Sequence, residues 1–179
     1  DKVAVNTLIF ALKDENPHVR SRAADALRRI GDKTAVDALM FTLKDENSHV
    51  RWHTADALGK IGDKAAVNAL ILALEDADSP VRWDVANALG QTGDKTAVNA
   101  LLLALNDQNP FVRSNAATAL GIIGDKSVVD SLINALNTDD SSVRQNAAEA
   151  LGIIGDKAAV DSLIYALNTN DSSVRRSAA

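Results

Sequence analysis

A period of 31 residues constrains this chain more than any other feature of its sequence. Gly-Asp-Lys recurs in an unbroken register, and a Val-Arg pair recurs with the same step. The Gly-Asp-Lys copies begin at Gly31, Gly62, Gly93, Gly124 and Gly155. The Val-Arg pairs begin at Val19, Val50, Val81, Val112, Val143 and Val174. A constant step without insertions is typical of stacked repeats, in which each unit contacts only its neighbours.

Each repeat carries the apolar patterns of two helices. In the third repeat, one stripe with helical spacing starts at Val67 and a second starts at Val81. The glycine of Gly-Asp-Lys is expected to end one helix in a left-handed conformation, and the aspartate to cap the next. Between the two helices of this repeat, Asp78 is expected to act as a cap and Pro80 to lie in the first turn. The chain is therefore predicted to be all-α, an α-solenoid of helix pairs.

The period also predicts how the chain divides. A single solenoid domain is predicted over residues 1–179, without a linker. Its repeats are predicted at 1–30, 31–61, 62–92, 93–123 and 124–154, with a partial sixth at 155–179. The first helix has no additional polar capping helix before it. This favours either a fragment of a longer protein or self-association through uncapped ends.

Glycines inside the second helices form a further repeated position. They are Gly59, Gly90, Gly121 and Gly152. Glycine in a helix interior costs ~1 kcal/mol relative to alanine, so its recurrence predicts places where a neighbouring helix comes too close for a side chain. The first repeat has Arg28 at this position, so its packing is predicted to differ.

The composition excludes several classes of function. The chain has no cysteine, which rules out disulfides and thiolate metal sites. Its net charge of −5 argues against binding nucleic acid through the phosphates. No apolar run approaches the ~18 residues that span a membrane. No signal peptide is visible, and a cytoplasmic location is favoured, although the sequence does not determine the compartment.

The consensus of the repeats carries a family resemblance. It reads GDK-x-AV-x-x-L-x-x-AL-x-D-x-x-x-x-VR-x-x-AA-x-ALG-x-I, and it recurs in register along the whole chain. This pattern resembles the HEAT-like repeats of the PBS-lyase, or E–Z, type. It is also similar to designed proteins built from that consensus, although variation at scaffold positions favours a natural protein. The resemblance implies a right-handed solenoid, with first helices on the convex side and second helices on the concave side.

The resemblance also implies a ladder of ion pairs within the repeats. In such repeats an aspartate that ends the first helix pairs with the arginine six residues later. Here the pairs would be Asp14 with Arg20, Asp45 with Arg51, Asp76 with Arg82, and Asp107 with Arg113. Thr138 and Thr169 occupy the aspartate position in the last two repeats, so Arg144 and Arg175 need other partners. The candidates are Asp139, Asp140 and Asp171.

The side of the second helices opposite the apolar stripe is the predicted binding face. Its positions vary most between repeats, and they hold both tryptophans and all three histidines of the chain. The predicted partner-binding residues are His18, Arg22, His49, Trp52, His53, Asp56, Trp83, Asp84, Asn87, Phe111 and Asn115. Exposed aromatic residues beside arginine and histidine are typical of protein-binding hot spots. The alternative is that Trp52 and Trp83 only pack against each other and their neighbours.

Two other sets of residues allow more than one interpretation. His49, His53 and Asp56 are spaced as metal ligands on one helix face, but three ligands along a single helix converge poorly on one ion. No metal, cofactor or catalytic residue is therefore predicted. Phe10, Phe41, Leu72 and Leu103 share one position on the first helices. Burial between repeats is favoured for this stripe over an exposed convex patch.

These observations favour a non-enzymatic scaffold that binds a protein or peptide on the concave face, most strongly over repeats one to four. The alternative is a bilin lyase or isomerase, or a chaperone-like protein, that acts on a chromophore-bearing protein. The absence of cysteine and the open, ridged face argue against that chemistry. A structural spacer, the third class, would show no aromatic bias on the concave side.

Overall fold

The computed structural model describes residues 2–138 and 140–179, and these residues form helices and turns without a β-strand. They fall into two compact units, Asp1–Asp94 and Lys95–Ala179, each a series of helix pairs. The helices of the first unit are α1 (Lys2–Ala11), α2 (Pro17–Ile30), α3 (Val36–Thr42), α4 (Ser48–Ile61), α5 (Val67–Ala73) and α6 (Ser79–Thr92). Those of the second unit are α7 (Val98–Ala104), α8 (Pro110–Ile123), α9 (Val129–Ala135), α10 (Ser141–Ile154), α11 (Val160–Leu167) and α12 (Ser172–Ala178). The predicted all-α solenoid fold is confirmed, whereas the prediction of one uninterrupted domain stays a prediction.

The Gly-Asp-Lys turns have the predicted backbone. Gly31, which ends α2, has a φ of +72°, a left-handed conformation that a side chain would strain. The aspartate that follows each such glycine does not cap the α-helix directly. Asp63, for example, accepts a hydrogen bond from the amide of Ala65 in a short 3₁₀ turn, Lys64–Ala66, which leads into α5. The lysine of the turn lies 3.5–3.7 Å from the next turn's aspartate in the first unit, in the pairs Lys33–Asp63 and Lys64–Asp94.

Side-chain caps begin α2 and α8, but the structure does not show the cap predicted at Asp78. Asn16 and Asn109 accept hydrogen bonds from amides in the first turns of α2 and α8. Pro17 and Pro110 are the first residues of these helices, where the missing N–H is not needed. The predicted cap Asp78 is wrong, because its carboxylate makes no capping bond to α6 and instead lies 2.7 Å from Nη2 of Arg51.

The core consists of leucine and alanine layers between the two helices of each repeat. In the first unit, α2 packs against α4 and α4 against α6, while α1, α3 and α5 each pack on the second helix of their own repeat. Leu27, Leu58 and Leu89 occupy equivalent positions on the second helices and are fully buried. Val19 and Ile30, two apolar residues of α2, are partly exposed, with 45% of Ile30 accessible.

The glycine position within the second helices marks close contacts, as predicted. A Cβ atom on Gly59 would lie 2.6 Å from Cα of Ala88 in the adjacent helix, which is too close for any side chain. Gly121 has the same relationship with Ile153, whereas no atom lies within 4 Å of the Cβ position of Gly152.

The predicted pairing within the ion-pair ladder is wrong. Nη1 of Arg20 donates to the main-chain oxygens of Asp14 and Glu15 in its own repeat, at 2.9 and 3.1 Å. Its Nε and Nη2 donate instead to the carboxylate of Asp45 in the next repeat, at 2.7 and 2.8 Å. The guanidinium lies across the interhelical loop, so its free edge faces the following repeat and not the carboxylate of Asp14.

The same correction applies to Arg51. Arg51 donates to the carboxylate of Asp76 and to the main-chain oxygen of Asp45. Arg82 and Arg113 donate to the main-chain oxygens of Asp76 and Asp107, respectively. In the last repeats, the expected contact of Arg144 with Asp171 is confirmed at 3.0 Å. Arg175 donates to the main-chain oxygen of Thr169, and the other candidate partner, Asp139, lies outside the described residues.

Candidate protein-binding surface

The predicted binding residues of the first unit lie on three adjacent second helices. Helix α2 carries His18 and Arg22, α4 carries His49, Trp52, His53 and Asp56, and α6 carries Trp83, Asp84 and Asn87. We call the surface formed by these residues the second-helix face. The structure leaves His18, Arg22 and His49 exposed. The other residues of the face are half-buried because neighbouring second helices cover part of each side chain, which the helical wheel of a single helix does not show.

Three aromatic rings gather in the first half of α4. The ring of Trp52 lies 4.5 Å from that of His53, in a tilted arrangement, and 6.4 Å from that of His49, edge to face. Such distances are within the range of favourable aromatic contacts. The indole Nε1 of Trp52 is buried, and no acceptor for its hydrogen lies among the described residues.

An arginine that the sequence analysis did not place in the site connects α2 and α4. Nη2 of Arg28 lies 2.9 Å from Oδ1 of Asp25, and its Nε lies 3.2 Å from Oδ2 of Asp56. The hydrogen bond from Arg28 holds the pKa of Asp25 below its usual value. Arg28 stands at the position where the later repeats have glycine, and this departure from the consensus was the signal that could have identified it.

A carboxyl group on α6 has the most perturbed protonation in this face. Burial raises the pKa of Asp84 from its ordinary value of 3.8 to about 7, and the negative charge of Asp56 adds to this effect. A hydrogen bond from the indole of Trp83 opposes it. Oδ2 of Asp84 is buried, and no donor reaches it from the described residues. Near neutral pH the Asp84 carboxyl group is therefore divided between its charged and neutral forms.

His53 responds to the same surroundings in the opposite sense. Burial lowers its pKa, because the charged imidazolium is poorly solvated there, while the carboxylates of Asp25 and Asp56 act against this. The imidazole is neutral at pH 7 and has one N–H donor and one ring acceptor. No three histidine, aspartate or glutamate side chains of the described residues gather in a group that could hold a metal ion.

Polar atoms without partners concentrate on this face. Within the described residues, three buried side-chain atoms have no hydrogen-bond partner: Trp52 Nε1, Asp84 Oδ2 and Arg113 Nε. Two of the three belong to residues that the sequence analysis placed in the binding face. One is a donor and the other is an acceptor, and they lie on the packed helices α4 and α6.

The remaining predicted residues, Phe111 and Asn115, lie on α8 in the second unit. The ring of Phe111 is exposed, and the side-chain amide of Asn115 donates to its main-chain oxygen at 2.8 Å.

The apolar stripe on the first helices is exposed, so the favoured expectation of its burial is wrong. Phe41 has 76% of its surface accessible, and Phe10, Leu72 and Leu103 are similarly exposed. Successive first helices of the first unit do not pack side by side in the way that the second helices do, and grooves remain between them. A groove of about 700 Å³ between α1 and α3 is lined by Ile9, Leu12 and Phe41. None of the described helices is long and apolar enough to cross a membrane.

The comparisons with known proteins agree with the repeat architecture. The chain matches the family described as HEAT repeats over residues 5–74, 67–133 and 99–179. No curated protein matches it. One similar solved structure is the complex of CpcE and CpcF of phycocyanin lyase from Nostoc sp. PCC7120. It is 30% identical with a TM-score of 0.72, and the match covers 97% of this chain and 74% of that one.

Two engineered proteins are similar in fold. One is described only as an engineered protein, with 24% identity, a TM-score of 0.66, and coverage of 97% of this chain and 93% of that one. The other is a computationally designed armadillo repeat protein for modular peptide recognition. It shares 16% identity at a TM-score of 0.63, with 97% of this chain and 96% of that one covered. At these levels of identity the likeness shows a shared fold alone.

Proposed function

Because this chain belongs to the HEAT-repeat family, we propose that it is a scaffold that binds a protein or peptide partner through the second-helix face. One observation carries the proposal. Trp52 Nε1 and Asp84 Oδ2, a donor and an acceptor on adjacent helices, are both buried without a partner in the described part of the chain. A buried polar group without a hydrogen bond costs about 1–3 kcal/mol, so the free protein is destabilised at this place.

A peptide offers the groups that these two atoms lack. Its main-chain carbonyl would accept from the indole of Trp52, and its N–H would donate to Asp84. The ring of His53, 4.5 Å from that of Trp52, is only half-buried and would offer a peptide a further contact beside the indole. The exposed side chains of Arg22 and His49 lie at the border of this centre and supply polar contacts around it.

The other predicted residues take outer positions in this proposal. His18, Asn87 and Trp83 would extend the contact along α2 and α6. Phe111 and Asn115, on α8 of the second unit, stay a prediction of the sequence. An aromatic anchor such as Trp52 is expected to account for a large share of the binding free energy, about 2 kcal/mol or more.

The test uses the full chain and a random-peptide library displayed on phage, selected at pH 7. The affinity of an enriched peptide is then measured by calorimetry for the parent and for Trp52→Phe, which keeps a ring but removes the indole N–H. Losing that hydrogen bond should weaken binding about tenfold, equivalent to ~1.4 kcal/mol. Phe41→Ser, on the first helices, is the matched control and should bind like the parent.

Two results would count against this proposal. One is that no peptide is enriched over an unrelated helical protein. The other is that Phe41→Ser weakens binding while Trp52→Phe does not, which would move the site to the grooves between the first helices.

A second candidate function is favoured by the similarity to the CpcE–CpcF complex. By analogy, this chain would hold a bilin or a chromophore-bearing protein against the same face. Mixing the full chain with a free bilin and recording the visible absorption tests this candidate. A saturable spectral change that Trp52→Phe alters would support it over peptide binding, and an unchanged spectrum would exclude binding of the free bilin.

A further inference from the structure

Arg113 is held in the same orientation as the ladder arginines of the first unit. Its Nη1 donates to the main-chain oxygens of Asp107 and Gln108, at 2.8 and 3.2 Å. Arg20 makes the equivalent pair of bonds to Asp14 and Glu15. Two carbonyls therefore fix the orientation of each guanidinium. Its opposite edge, formed by Nε and Nη2, then points in a fixed direction toward the following repeat.

In the first unit that place is filled by a carboxylate. Nε and Nη2 of Arg51 donate to the two oxygens of Asp76, 25 residues later, at 2.6 and 2.9 Å. The residue 25 positions after Arg113 is Thr138, which has no carboxylate. The Thr138 hydroxyl is exposed and donates to the main-chain oxygen of Ala135 at 3.0 Å. Nε of Arg113 is left buried, and none of the residues described around it provides an acceptor.

We propose that the Nε–Nη2 edge of Arg113 is a binding site for an external carboxylate. The ligand is either an acidic side chain presented by a peptide or a small free carboxylate. The planar guanidinium fits a carboxylate with two parallel hydrogen bonds, and bonds of this charge-assisted kind are stronger than neutral ones. Because Nη1 is already held by two carbonyls, little side-chain freedom is lost on binding. The site lies in the second unit and does not depend on the proposed function of the second-helix face.

Among the described residues, Asp140 is the carboxylate nearest to Thr138 in sequence, and it makes no bond to Nε of Arg113. Aspartates 27 positions after an arginine bind Nη2 and not Nε, as Asp78 does with Arg51 and Asp171 with Arg144. Asp140 is exposed, and its Oδ1 accepts from the amides of Ser142 and Val143 at the start of α10. Nε of Arg113 has no partner beside this loop among the described residues.

The test is the arginine Nε–Hε spectrum of the full, ¹⁵N-labelled chain. Sodium acetate is titrated against sodium chloride of equal ionic strength. The Arg113 Hε signal should move downfield and saturate, while that of Arg51, already bonded to Asp76, should not. Thr138→Asp should place the Arg113 signal downfield without acetate, remove its response and raise the melting temperature. Thr138→Asn, similar in shape but neutral, should keep the response.

Two further titrations distinguish an acidic side chain of a peptide from a small free carboxylate as the ligand. A blocked tripeptide, acetyl-Gly-Asp-Gly-amide, is compared with acetate and with its asparagine form. Saturation at lower concentration than acetate assigns the site to acidic side chains, and equal or weaker saturation assigns it to small carboxylates.

Three results would overturn the inference. The first is an Arg113 response no larger than that of Arg51. The second is a signal already downfield in the parent that moves upfield in the double variant Asp139→Asn, Asp140→Asn, because the chain would then supply its own carboxylate. The third is a stronger response to inorganic phosphate than to acetate, which would reject the carboxylate as the ligand class.

Discussion

Arg20 and Asp45, in successive repeats, form a two-point ion pair, with Nε–Oδ2 and Nη2–Oδ1 distances of 2.7 and 2.8 Å. Both side chains are about nine-tenths buried. The same guanidinium holds the loop of its own repeat through two main-chain oxygens. Arg20 thus connects the two helices of its own repeat and also connects this repeat to the next one.

Asp45→Asn should therefore destabilise the protein much more than Asp14→Asn. Both aspartates accept the same local bond from the amide two residues later, at 2.9 and 2.8 Å, so asparagine preserves that contact in each case. Only the substitution of Asp45 removes an ion pair, and it leaves Arg20 buried with a weaker partner. We expect Asp45→Asn to lower the free energy of unfolding by about 2–3 kcal/mol. Denaturant titrations of the two variants measure the difference. Equal losses of unfolding free energy in the two variants would support the pairing of Arg20 with Asp14 instead.

Gly59→Ala and Gly152→Ala should change stability in opposite directions. At Gly59 the added methyl group would overlap Ala88, so the helices α4 and α6 must separate, at a cost of about 1–3 kcal/mol. At Gly152 the space is open, and alanine should stabilise α10 by up to ~1 kcal/mol through its higher helix propensity. Thermal unfolding followed by circular dichroism compares them. A stabilising Gly59→Ala would disprove the close contact.

Asp84 should make the protein less stable as the pH rises from about 4 to 7. Its pKa is raised in the folded state, from 3.8 to about 7, so folding takes up a proton between these values. Below pH 4 the group is protonated in both states and contributes no penalty. Above pH 7 the folded protein must hold the buried charge. We expect the free energy of unfolding to fall by about 2 kcal/mol over this range. This is less than the pKa shift of Asp84 alone implies, because solvent reaches part of the side chain.

The matched variant for this prediction is Asp84→Asn, which cannot titrate. Chemical unfolding at pH 5 and pH 8 is compared for the two proteins. The parent should lose more stability than the variant between these values, and parallel losses would show that Asp84 does not hold a raised pKa.

Phe41→Ser should leave the folded state almost unchanged. The ring lies on the exposed stripe of the first helices, and surface substitutions away from special features usually change stability by less than ~0.5 kcal/mol. The same substitution should reduce self-association of the protein, because exposed apolar surface favours association. Unfolding curves and analytical ultracentrifugation report the two effects. A large loss of stability would mean that the stripe is buried, as the sequence had suggested.

Much of the fold could be predicted because it depends on short-range chemistry. Pro17 starts α2 since its missing N–H has no partner to lose, and Gly31 ends the same helix since glycine adopts a left-handed backbone freely. Leu58 belongs to the core because its spacing from other apolar residues follows the helical period. Gly59 indicated a close approach because no local reason supports glycine inside a helix. These inferences required only neighbours within about two turns.

The tertiary structure decided what depends on the neighbouring repeat. Asp14 and Asp45 have equivalent sequence surroundings, and only the placement of α2 beside α4 shows which carboxylate the edge of Arg20 reaches. The burial of Trp52 Nε1 and the raised pKa of Asp84 arise from packing between second helices, which a helical wheel of one helix omits. The exposure of Phe41 has the same origin. Because the first helices stand apart while the second helices touch, an identical apolar pattern is buried on one side of the repeat and accessible on the other.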